Sequence, residues 1–219
     1  MENNNTDQVR ALYNTAKETW PSDDPWHTYT HNYITQKVQS YLGTLHSEAL
    51  VLNAGSGDTR YCTSATVYDV DIAEDKLKNS LHPFVSSIES LPFAASFFDC
   101  VICVGSVLNY CDLYAALSQL IRVLKPGGVL CIEYERSQSA EFLLTENYNA
   151  NVFSKIYTYN GQHFMGLYPD VGYLIFLCLA AFDGAWMLLL RLMFWSRDGD
   201  MPYERWVPKK RGMPPKRRR

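Results

Sequence analysis

The stretch VLNAGSGDTRYC, residues 51–62, is a short apolar run that ends in two glycines separated by one residue. A short run that is almost wholly apolar is typical of a parallel strand that is covered on both faces of its sheet. Glycines directly after a strand allow a tight turn, and a backbone without a Cβ can be approached closely by a ligand. The stretch therefore predicts a first strand followed by a ligand-binding turn.

Strand-like and helix-like segments alternate after this turn. ATVYDVDI (65–72), CVICVG (100–105) and GVLCIEY (128–134) have strand character, and DLYAALSQLIRVL (112–124) has the apolar spacing of an amphipathic helix. This alternation predicts an α/β, doubly wound, mostly parallel sheet with helices on both faces, whose ligands bind at the carboxyl ends of the strands. Further on, the Asn-Gly pair in YNGQ (159–162) predicts a C-terminal antiparallel hairpin.

The composition is that of an ordinary globular domain, with 219 residues of which 47% are apolar and 20% charged. The first 20 residues lack the pattern of a secretory signal, so we expect a cytoplasmic protein whose six cysteines are free thiols. The CVIC pair (100–103) lies in an apolar strand, and no second pair stands at metal-ligand spacing. We therefore expect core cysteines and no metal site.

Charge and apolarity are concentrated towards the C-terminus. KKRGMPPKRRR (209–219) contains seven basic residues, while residues 1–208 carry a net charge of −10. With two prolines and no aromatic residue, the tail is typical of a solvated, disordered segment; weak contact with an anionic membrane stays open, and a nucleic-acid partner is disfavoured. The apolar stretch 171–195 is first interrupted after 12 residues, short of the roughly 20 that span a bilayer. It predicts a buried helix or strand, with an interfacial patch as the alternative.

The residues around the glycine turn discriminate between two kinds of ligand. A dinucleotide site needs Gly or Ala three residues after the second glycine, and that position is Arg60. Asp71 stands at the end of the second predicted strand, where a carboxylate can accept hydrogen bonds from both ribose hydroxyls. The pattern favours a nucleoside ligand without a pyrophosphate, and an NAD-dependent oxidoreductase ranks last.

Two longer runs carry a family resemblance. IESLPFAASFFDCVICVGSVLNYCD (88–112) and ALSQLIRVLKPGGVLCIEY (116–134) contain the ordered motifs L-P-F, F-D-x-V and R-V-L-K-P-G-G. Over roughly residues 48–135 the chain resembles the Rossmann-like (class I) S-adenosylmethionine-dependent methyltransferases, in particular the methyltransferase type 11, UbiE-like branch. The resemblance implies a seven-stranded, mostly parallel sheet, S-adenosyl-L-methionine as cofactor, and transfer of its methyl group to a small-molecule acceptor by in-line displacement.

The resemblance also implies a domain plan and a cofactor site. One methyltransferase domain would cover residues 1–208, with a helical cap (1–47), a cofactor-binding core (48–135) and an acceptor-side region (136–208). The residues implied to bind the cofactor are those of the glycine turn, the end of the second strand, the third strand region and the floor beside the sulfonium. They are Asn53, Ala54, Gly55, Ser56, Gly57, Asp71, Ile72, Ser87, Ile88, Glu89, Val104, Gly105 and Ser106.

Acceptor contacts are expected at the same sheet edge and in the aromatic N-terminal arm (13–31), in which PSDDPWHTYTH (21–31) is turn-rich and precedes a predicted second helix near Tyr33 to Leu45. Tyr110 and Glu133 are the candidate catalytic groups, since either could take a proton from the acceptor. The candidate substrate and cap residues are Tyr13, Trp20, Trp26, His27, Asn109 and Tyr134. Residues 125–128 are expected to form a structural turn between helix and strand.

The sequence departs from the family pattern at three positions, which leaves alternatives open; at one of them, Thr59 stands where the family often has a third glycine. Asn53 and Ser87 stand where the family often has an acid, so negative charge beside a cationic ligand is removed. Binding of the cofactor without turnover is one alternative, and a peripheral membrane enzyme acting on a lipid or quinone is another. The acceptor, the attacking atom and the oligomeric state do not follow from the sequence.

Overall fold

The computed structural model describes residues 4–20, 22–139, 142–159, 162–181 and 191–195. The helices are α1 (Asn4–Thr15), α2 (Pro25–Leu42), α3 (Leu113–Val123) and α4 (Val171–Ala181). The strands are β1 (Leu50–Ala54), β2 (Thr66–Asp71), β3 (Pro83–Val85), β4 (Phe98–Cys103), β5 (Leu124–Glu133), β6 (Val152–Tyr159), β7 (Gln162–Pro169) and β8 (Arg191–Trp195). Short 3₁₀ turns occupy Glu74–Leu77 and Val107–Tyr110.

A parallel sheet with strand order β3-β2-β1-β4-β5-β8 forms the centre of the molecule. The order reverses direction at β1, which is the switch point where doubly wound sheets bind their ligands. The predicted α/β, mostly parallel, Rossmann-like fold is confirmed. The described residues contain six strands of this sheet, so the expected number of seven is not confirmed.

The face of the sheet that carries α3 and α4 holds the larger apolar core. Leu117 and Leu120 of α3 and Leu174 of α4 are fully buried there with strand residues such as Val101 and Leu130. Burying a leucine side chain contributes about 1.5–3 kcal/mol, so this face accounts for much of the stability. Asp112 begins α3 as an N-cap, since its carboxylate accepts a hydrogen bond from the Ala115 backbone N–H at 2.9 Å.

The opposite face is covered by α2, which precedes the sheet in the chain. Ile34, Val38 and Leu42 recur at four-residue spacing and pack against Val51 and Ile102 of the strands. Parallel strands are usually joined by a crossover of a dozen or more residues that contains a helix. Residues 55–65, which join β1 to β2, contain no helix, and α2 buries the apolar side of the strands in its place.

Two local expectations are corrected. The sequence predicted a turn-rich arm up to Tyr33, but α2 already begins at Pro25, because proline suits the first position of a helix. Residues 125–128 do not form a separate turn: α3 ends at Val123 and β5 begins at Leu124. Phe98 pairs with Leu124 and Cys100 with Val129, so the segment is accommodated as an irregularity at the start of β5.

The C-terminal hairpin is confirmed, with β6 and β7 pairing antiparallel from Val152–Pro169 to Tyr159–Gln162 as a sheet of their own. The following α4 places Leu174, Leu177 and Cys178 in the core, as expected for the first part of the apolar stretch. None of the helices in the described ranges is long and apolar enough to cross a membrane. The basic tail, 209–219, lies outside the described residues.

The cysteines are free thiols, and Cys100, Cys103, Cys131 and Cys178 are buried. The CVIC pair is therefore part of the apolar core, as the sequence predicted. Within the ranges that the structure describes, no group of three or more His, Cys, Asp or Glu side chains could hold a metal ion.

Candidate active site

A cleft opens at the carboxyl ends of β1, β2 and β4, where α1 and the segment before α2 close over the sheet edge. It encloses about 920 Å³ of empty space including its open mouth. Most of the residues predicted to bind the cofactor or the acceptor line this one cleft. They are Tyr13, Trp20, Asn53, Gly55, Ser56, Gly57, Asp71, Ile72, Ser87, Ile88, Glu89, Val104, Gly105 and Tyr110.

The two glycines of the turn adopt conformations that other residues rarely take, with φ of 68° at Gly55 and 50° at Gly57. A Cβ added to Gly55 would lie 2.5 Å from Val107 Cγ2, and one added to Gly57 would lie 2.8 Å from Thr19 Oγ1. Protein atoms therefore occupy the position that a Cβ would take at each glycine. Both glycines also line the cleft, where a ligand can approach them. Glycine is needed here for the close contact of Val107 and Thr19 with the turn.

Asp71 lies at the end of β2 and is 9% exposed. One carboxylate oxygen accepts a hydrogen bond from the Gly57 N–H and the other from the Ala73 N–H, both at 2.8 Å. Burial raises the pKa of the carboxyl, and these two backbone hydrogen bonds partly oppose that rise. Each oxygen keeps a lone pair, so the side chain can still accept two hydrogen bonds from a ligand diol.

Asn53 points its amide away from solvent towards β2. Its Nδ2 donates to Asp69 Oδ1 at 2.8 Å and to the Thr59 carbonyl at 3.2 Å. Asp69 also accepts a hydrogen bond from the Ser80 hydroxyl and lies 3.5 Å from Arg60 Nε. The acidic group missing at position 53 is therefore present one strand away, on the neighbouring side chain.

Arg60 is a structural part of the turn. Its guanidinium donates to the carbonyls of Gly57 and Thr59 and to that of Lys76. These hydrogen bonds hold residues 57–60 in place although no helix follows the turn. Arg60, which disfavours a dinucleotide site, therefore stabilises the turn in the absence of a helix N-terminus.

The far end of the cleft combines apolar and polar walls. Ile72 and Ile88 lie there with Ser87 and Glu89. The Ser87 hydroxyl accepts a hydrogen bond from the Glu89 N–H at 3.1 Å, and Glu89 Oε1 accepts one from the Asp112 N–H at 2.7 Å. Two isoleucines and two polar groups form a slot suited to a flat heterocycle.

Glu133, proposed from sequence as a catalytic group, is positioned behind the cleft. It is 1% exposed, and one of its carboxylate oxygens accepts hydrogen bonds from the backbone N–H groups of Gly105 at 2.7 Å and Ser106 at 2.9 Å. Ser106 has φ of 61°, a conformation that these bonds help to hold. Glu133 is therefore a positioning residue for the cleft floor. Ser106 and Ala54, which were predicted to bind the cofactor, are buried and do not line the cleft.

Two further candidates also serve the fold. Asn109 is fully buried; its amide donates to the carbonyls of Glu135 and Leu167 and accepts from the Glu135 N–H, which joins the segment after β4 to β5 and β7. Tyr134 is 5% exposed and belongs to the core around α3 and α4. Neither residue lines the cleft.

The aromatic arm contributes only part of what was expected. Trp20 lines the cleft and stacks on His31, with ring centroids 5.1 Å apart and planes at 15°. His27 is off the cleft wall and pairs with Asp24, with 3.1 Å between Nδ1 and Oδ2. The side chain of Trp26 lies outside the described part of the chain.

The first helix is tied over the cleft at both of its ends. The Asn5 amide donates to the carbonyls of Tyr110 and Met165 and accepts from the Met165 N–H at 2.8 Å. Just beyond the other end, Lys76 Nζ donates to the Ala16 carbonyl at 2.6 Å, and the Thr19 N–H donates to Asp58 at 3.2 Å. The helical cap predicted for the N-terminal region is therefore attached to both the hairpin and the glycine turn.

The polar residues that line the cleft without having been predicted as site residues include Thr19, Thr35 and Tyr61. The hydroxyl oxygens of Thr19, Thr35 and Tyr61 are buried and have no hydrogen-bond partner among the described residues. A buried hydroxyl without a partner costs about 1–3 kcal/mol. Single threonines and tyrosines carry no sequence signal for such a role, since only the fold brings them together.

The charge of the lining is one-sided. Among the described residues of the cleft wall, Asp71 and Glu89 are acidic and none is Lys or Arg. A site of this kind disfavours the two negative charges of a pyrophosphate and favours a ligand with positive charge.

Comparison with known proteins shows what part of the chain is similar to. Residues 52–132 match the family model described as "Methyltransferase domain". The chain is similar to the ubiquinone/menaquinone biosynthesis C-methyltransferase of Edwardsiella ictaluri, with 35% identity over 88 residues, which are 37% of this chain and 34% of that protein. It is also similar to the corresponding enzyme of Rickettsia felis, with 29% identity over 134 residues, 51% of this chain and 54% of that protein.

A solved structure shares the fold. A putative S-adenosylmethionine-dependent methyltransferase from Listeria monocytogenes superposes with a TM-score of 0.51 at 15% identity, over 68% of this chain and 84% of that one. The chain spans between about a third and about half of the length of the two curated relatives above. Residues 52–132, which contain the glycine turn and Asp71, are therefore similar to the methyltransferase domain family, and the parallel sheet around them has a Rossmann-like fold.

Proposed function

We propose that the protein is an S-adenosyl-L-methionine-dependent methyltransferase that acts on a small-molecule acceptor. The observation that carries the proposal is the single cleft that joins the glycine turn, Asp71 and the Ile72–Ile88 slot, with acidic and no basic side chains on its described wall. A pyrophosphate-containing dinucleotide fits such a wall poorly, whereas a sulfonium nucleoside fits it well.

The residues present fit the cofactor. Asp71 has free lone pairs for two ribose hydroxyls, and Ile72 and Ile88 would flank the adenine, with Ser87 and Glu89 at its polar edge. Asn53, Gly55, Ser56 and Gly57 would border the amino-acid end, and Val104 and Gly105 would form the floor. When bound, the cofactor supplies a methyl group attached to a positively charged sulfur.

The protein's own part in methyl transfer is alignment and exclusion of water. Glu133 fixes residues 105 and 106 through their N–H groups, so the floor does not have to reorganise during the reaction. The cap formed by α1 and Trp20 covers the cleft from solvent. Tyr110 lies on the cleft wall and is the remaining candidate to orient the acceptor or take its proton.

The acceptor-binding residues are expected in the parts of the chain outside residues 52–132. We infer a single domain over residues 1–208, in which the N-terminal cap and the region after residue 135 select the acceptor. The two relatives are named as C-methyltransferases of ubiquinone/menaquinone biosynthesis, and for this chain a quinone or lipid acceptor is one form of the proposal. Weak contact of the basic tail with anionic lipid and a cytoplasmic location stay predictions of the sequence.

The variant Asp71→Asn tests the cofactor site. It removes the charge that would accept the ribose hydroxyls, and hydrogen bonds to charged groups contribute about 1.5–3 kcal/mol, so we expect affinity for S-adenosylhomocysteine to fall about 10- to 100-fold. Isothermal titration calorimetry measures it. The matched control is Asp99→Asn, whose carboxylate pairs with Lys125 at the start of β4, away from the cleft; its affinity should stay within about twofold of the unsubstituted protein.

Turnover is tested separately, with labelled cofactor and a cell extract sorted into small-molecule, lipid, protein and nucleic-acid fractions. We expect label in the small-molecule or lipid fraction. Binding without label in any fraction would establish a cofactor-binding protein without turnover. Absence of measurable binding to well-folded protein would reject the proposed function as a whole.

A further inference from the structure

The end of the cleft next to α2 contains chemistry that the cofactor contacts do not use. We define the α2 wall as Trp20, His31, Ile34, Thr35 and Tyr61, which all line the cleft. Ile34 adjoins Thr35 in the helix, and Tyr61 packs against the apolar cluster that contains Ile34. The wall therefore brings polar groups from α2 and from the glycine-turn segment to one place.

Two of these groups are buried hydrogen-bonding atoms that the described chain leaves unpaired. They are the Tyr61 hydroxyl and the Thr35 hydroxyl, and each oxygen is almost inaccessible to solvent. Buried polar atoms in folded proteins nearly always have a partner, and for hydroxyls on the wall of a cleft that partner can be a polar group of a ligand. The same helix offers a comparison, since the Thr30 hydroxyl is also unpaired in the described chain but does not line the cleft.

The charge around the wall selects the kind of group. Burial is the main cause that raises the pKa of Tyr61, with smaller contributions from neighbours that include Asp69 and Glu133, so the phenol stays protonated and can donate. Burial also lowers the pKa of His31, which leaves the imidazole neutral at neutral pH. The described lining has no basic side chain, so an anionic group would meet negative charge without compensation.

The rest of the wall is apolar and flat. The Trp20 and His31 rings are stacked nearly parallel, and Ile34 lies beside them. We propose that the α2 wall binds the methyl acceptor, and that the acceptor is a neutral, ring-containing molecule whose carbonyl or hydroxyl oxygen accepts hydrogen bonds from Tyr61 and Thr35. This assignment rests on the proposed function, since it takes the remainder of the cleft as the cofactor site.

Three small probes of similar shape test the assignment: acetophenone carries a neutral carbonyl, benzoate carries a charged carboxylate, and ethylbenzene carries neither. Each is titrated by ligand-observed NMR against the protein with and without S-adenosylhomocysteine. We expect acetophenone to bind more tightly than benzoate. Tyr61→Phe and Thr35→Val should each weaken acetophenone about 3- to 10-fold and leave ethylbenzene unchanged, because only a hydrogen bond is lost. Thr30→Val should change neither probe.

The two variants also report on folding and on the cofactor. Each removes an unpaired buried hydroxyl, so the thermal midpoint of the ligand-free protein should not fall, and either variant can carry the test if the other fails to fold. Unchanged acetophenone binding in the variants, or benzoate binding as tightly as acetophenone, would overturn the assignment. A loss of S-adenosylhomocysteine affinity in Tyr61→Phe and Thr35→Val would also overturn the assignment, because the two hydroxyls would then bind the cofactor and not the acceptor. If the unsubstituted protein binds no S-adenosylhomocysteine but shows the acetophenone pattern, the proposed function fails and the α2 wall remains a binding site.

Discussion

At the scale of single residues, the pair Asn53 and Asp69 shows why an amide rather than an acid stands at the end of β1. The amide of Asn53 donates to Asp69 Oδ1, and the two side chains are 2% and 3% exposed. An acid at position 53 would place two carboxylates against each other in a buried site. The hydrogen bond to Asp69 therefore accounts for an asparagine rather than an acid at position 53.

We expect Asn53→Asp to destabilise the fold by about 1–3 kcal/mol at neutral pH, because a favourable hydrogen bond becomes a like-charge contact. Such a contact raises the pKa of one carboxyl in the folded state above its unfolded value. The folded variant then holds its proton more tightly, so the deficit is largest above that raised pKa and shrinks as pH falls towards about 4. Denaturant unfolding at several pH values measures this.

The matched control moves the charge instead of doubling it. Asn53→Asp combined with Asp69→Asn restores a carboxylate–amide pair and should recover most of the lost stability. If the single variant is as stable as the unsubstituted protein between pH 5 and pH 8, the contact is not the reason for asparagine at position 53.

The sequence predicted the residues that stand directly after strands better than those whose role depends on distant partners. The glycine turn and Asp71 line the cleft because the ends of parallel strands meet at one edge. Glu133 also ends a strand, but its carboxylate is turned inward to N–H groups 28 and 27 positions earlier in the chain. Nothing in the local pattern distinguishes these two acids, since the partner of each is set by the fold.

At the scale of elements, α1 is held less by its own packing than by polar contacts at its ends. Val9 is its buried apolar side chain in the described range, so the Asn5 contacts with the hairpin are a large part of what holds the helix. We expect Asn5→Ala to speed backbone amide exchange in α1 about fivefold or more, because each lost hydrogen bond contributes about 1 kcal/mol. Hydrogen–deuterium exchange measures it.

A comparison variant is available on the neighbouring helix. Gln36→Ala removes an exposed amide from α2 and should leave exchange in α1 unchanged. Equal exchange in α1 for Asn5→Ala and for the unsubstituted protein would mean that the hairpin contact does not hold the cap.

The elements predicted best were those with a strong apolar pattern. The strands and α3 follow from apolar runs and from spacing, whereas the start of α2 was missed because Pro25 and the following polar residues are typical of a turn. The absence of a helix between β1 and β2 was equally hidden, since residues 58–65 hold few apolar side chains with either helical or strand spacing.

At the scale of the whole molecule, the solvent exposure of the six cysteines shows how well the fold excludes water from its core. Cys62 is exposed, Cys111 is half-buried, and the other four lie in the core. Burial raises the pKa of Cys178 to about 11 and that of Cys111 well above its ordinary value, which suppresses the reactive thiolate. We expect one thiol per chain to react rapidly with Ellman's reagent in the native protein and six in denaturant.

The variant Cys62→Ser should abolish that rapid phase without changing the thermal midpoint. Two or more rapidly reacting thiols in the native protein would show that the sheet is more open than described. The sequence predicted free core thiols, but which cysteine is exposed depends on the helix-free segment in which Cys62 lies.

The position of α2 has a consequence for which positions within residues 52–132 can vary in sequence. The helix that covers one face of the sheet precedes β1, so residues 52–132 are not a self-sufficient unit: alone they would leave Ile102, Val129 and Cys131 facing water. The loop between β1 and β2 adds Tyr61 and Ala65 to that face, whereas Cys62 and Ser64 are exposed and can accept substitutions near the ligand. In this chain, a helix outside the matched segment covers the sheet, and the exposed positions of the glycine-turn loop are those where the sequence can vary.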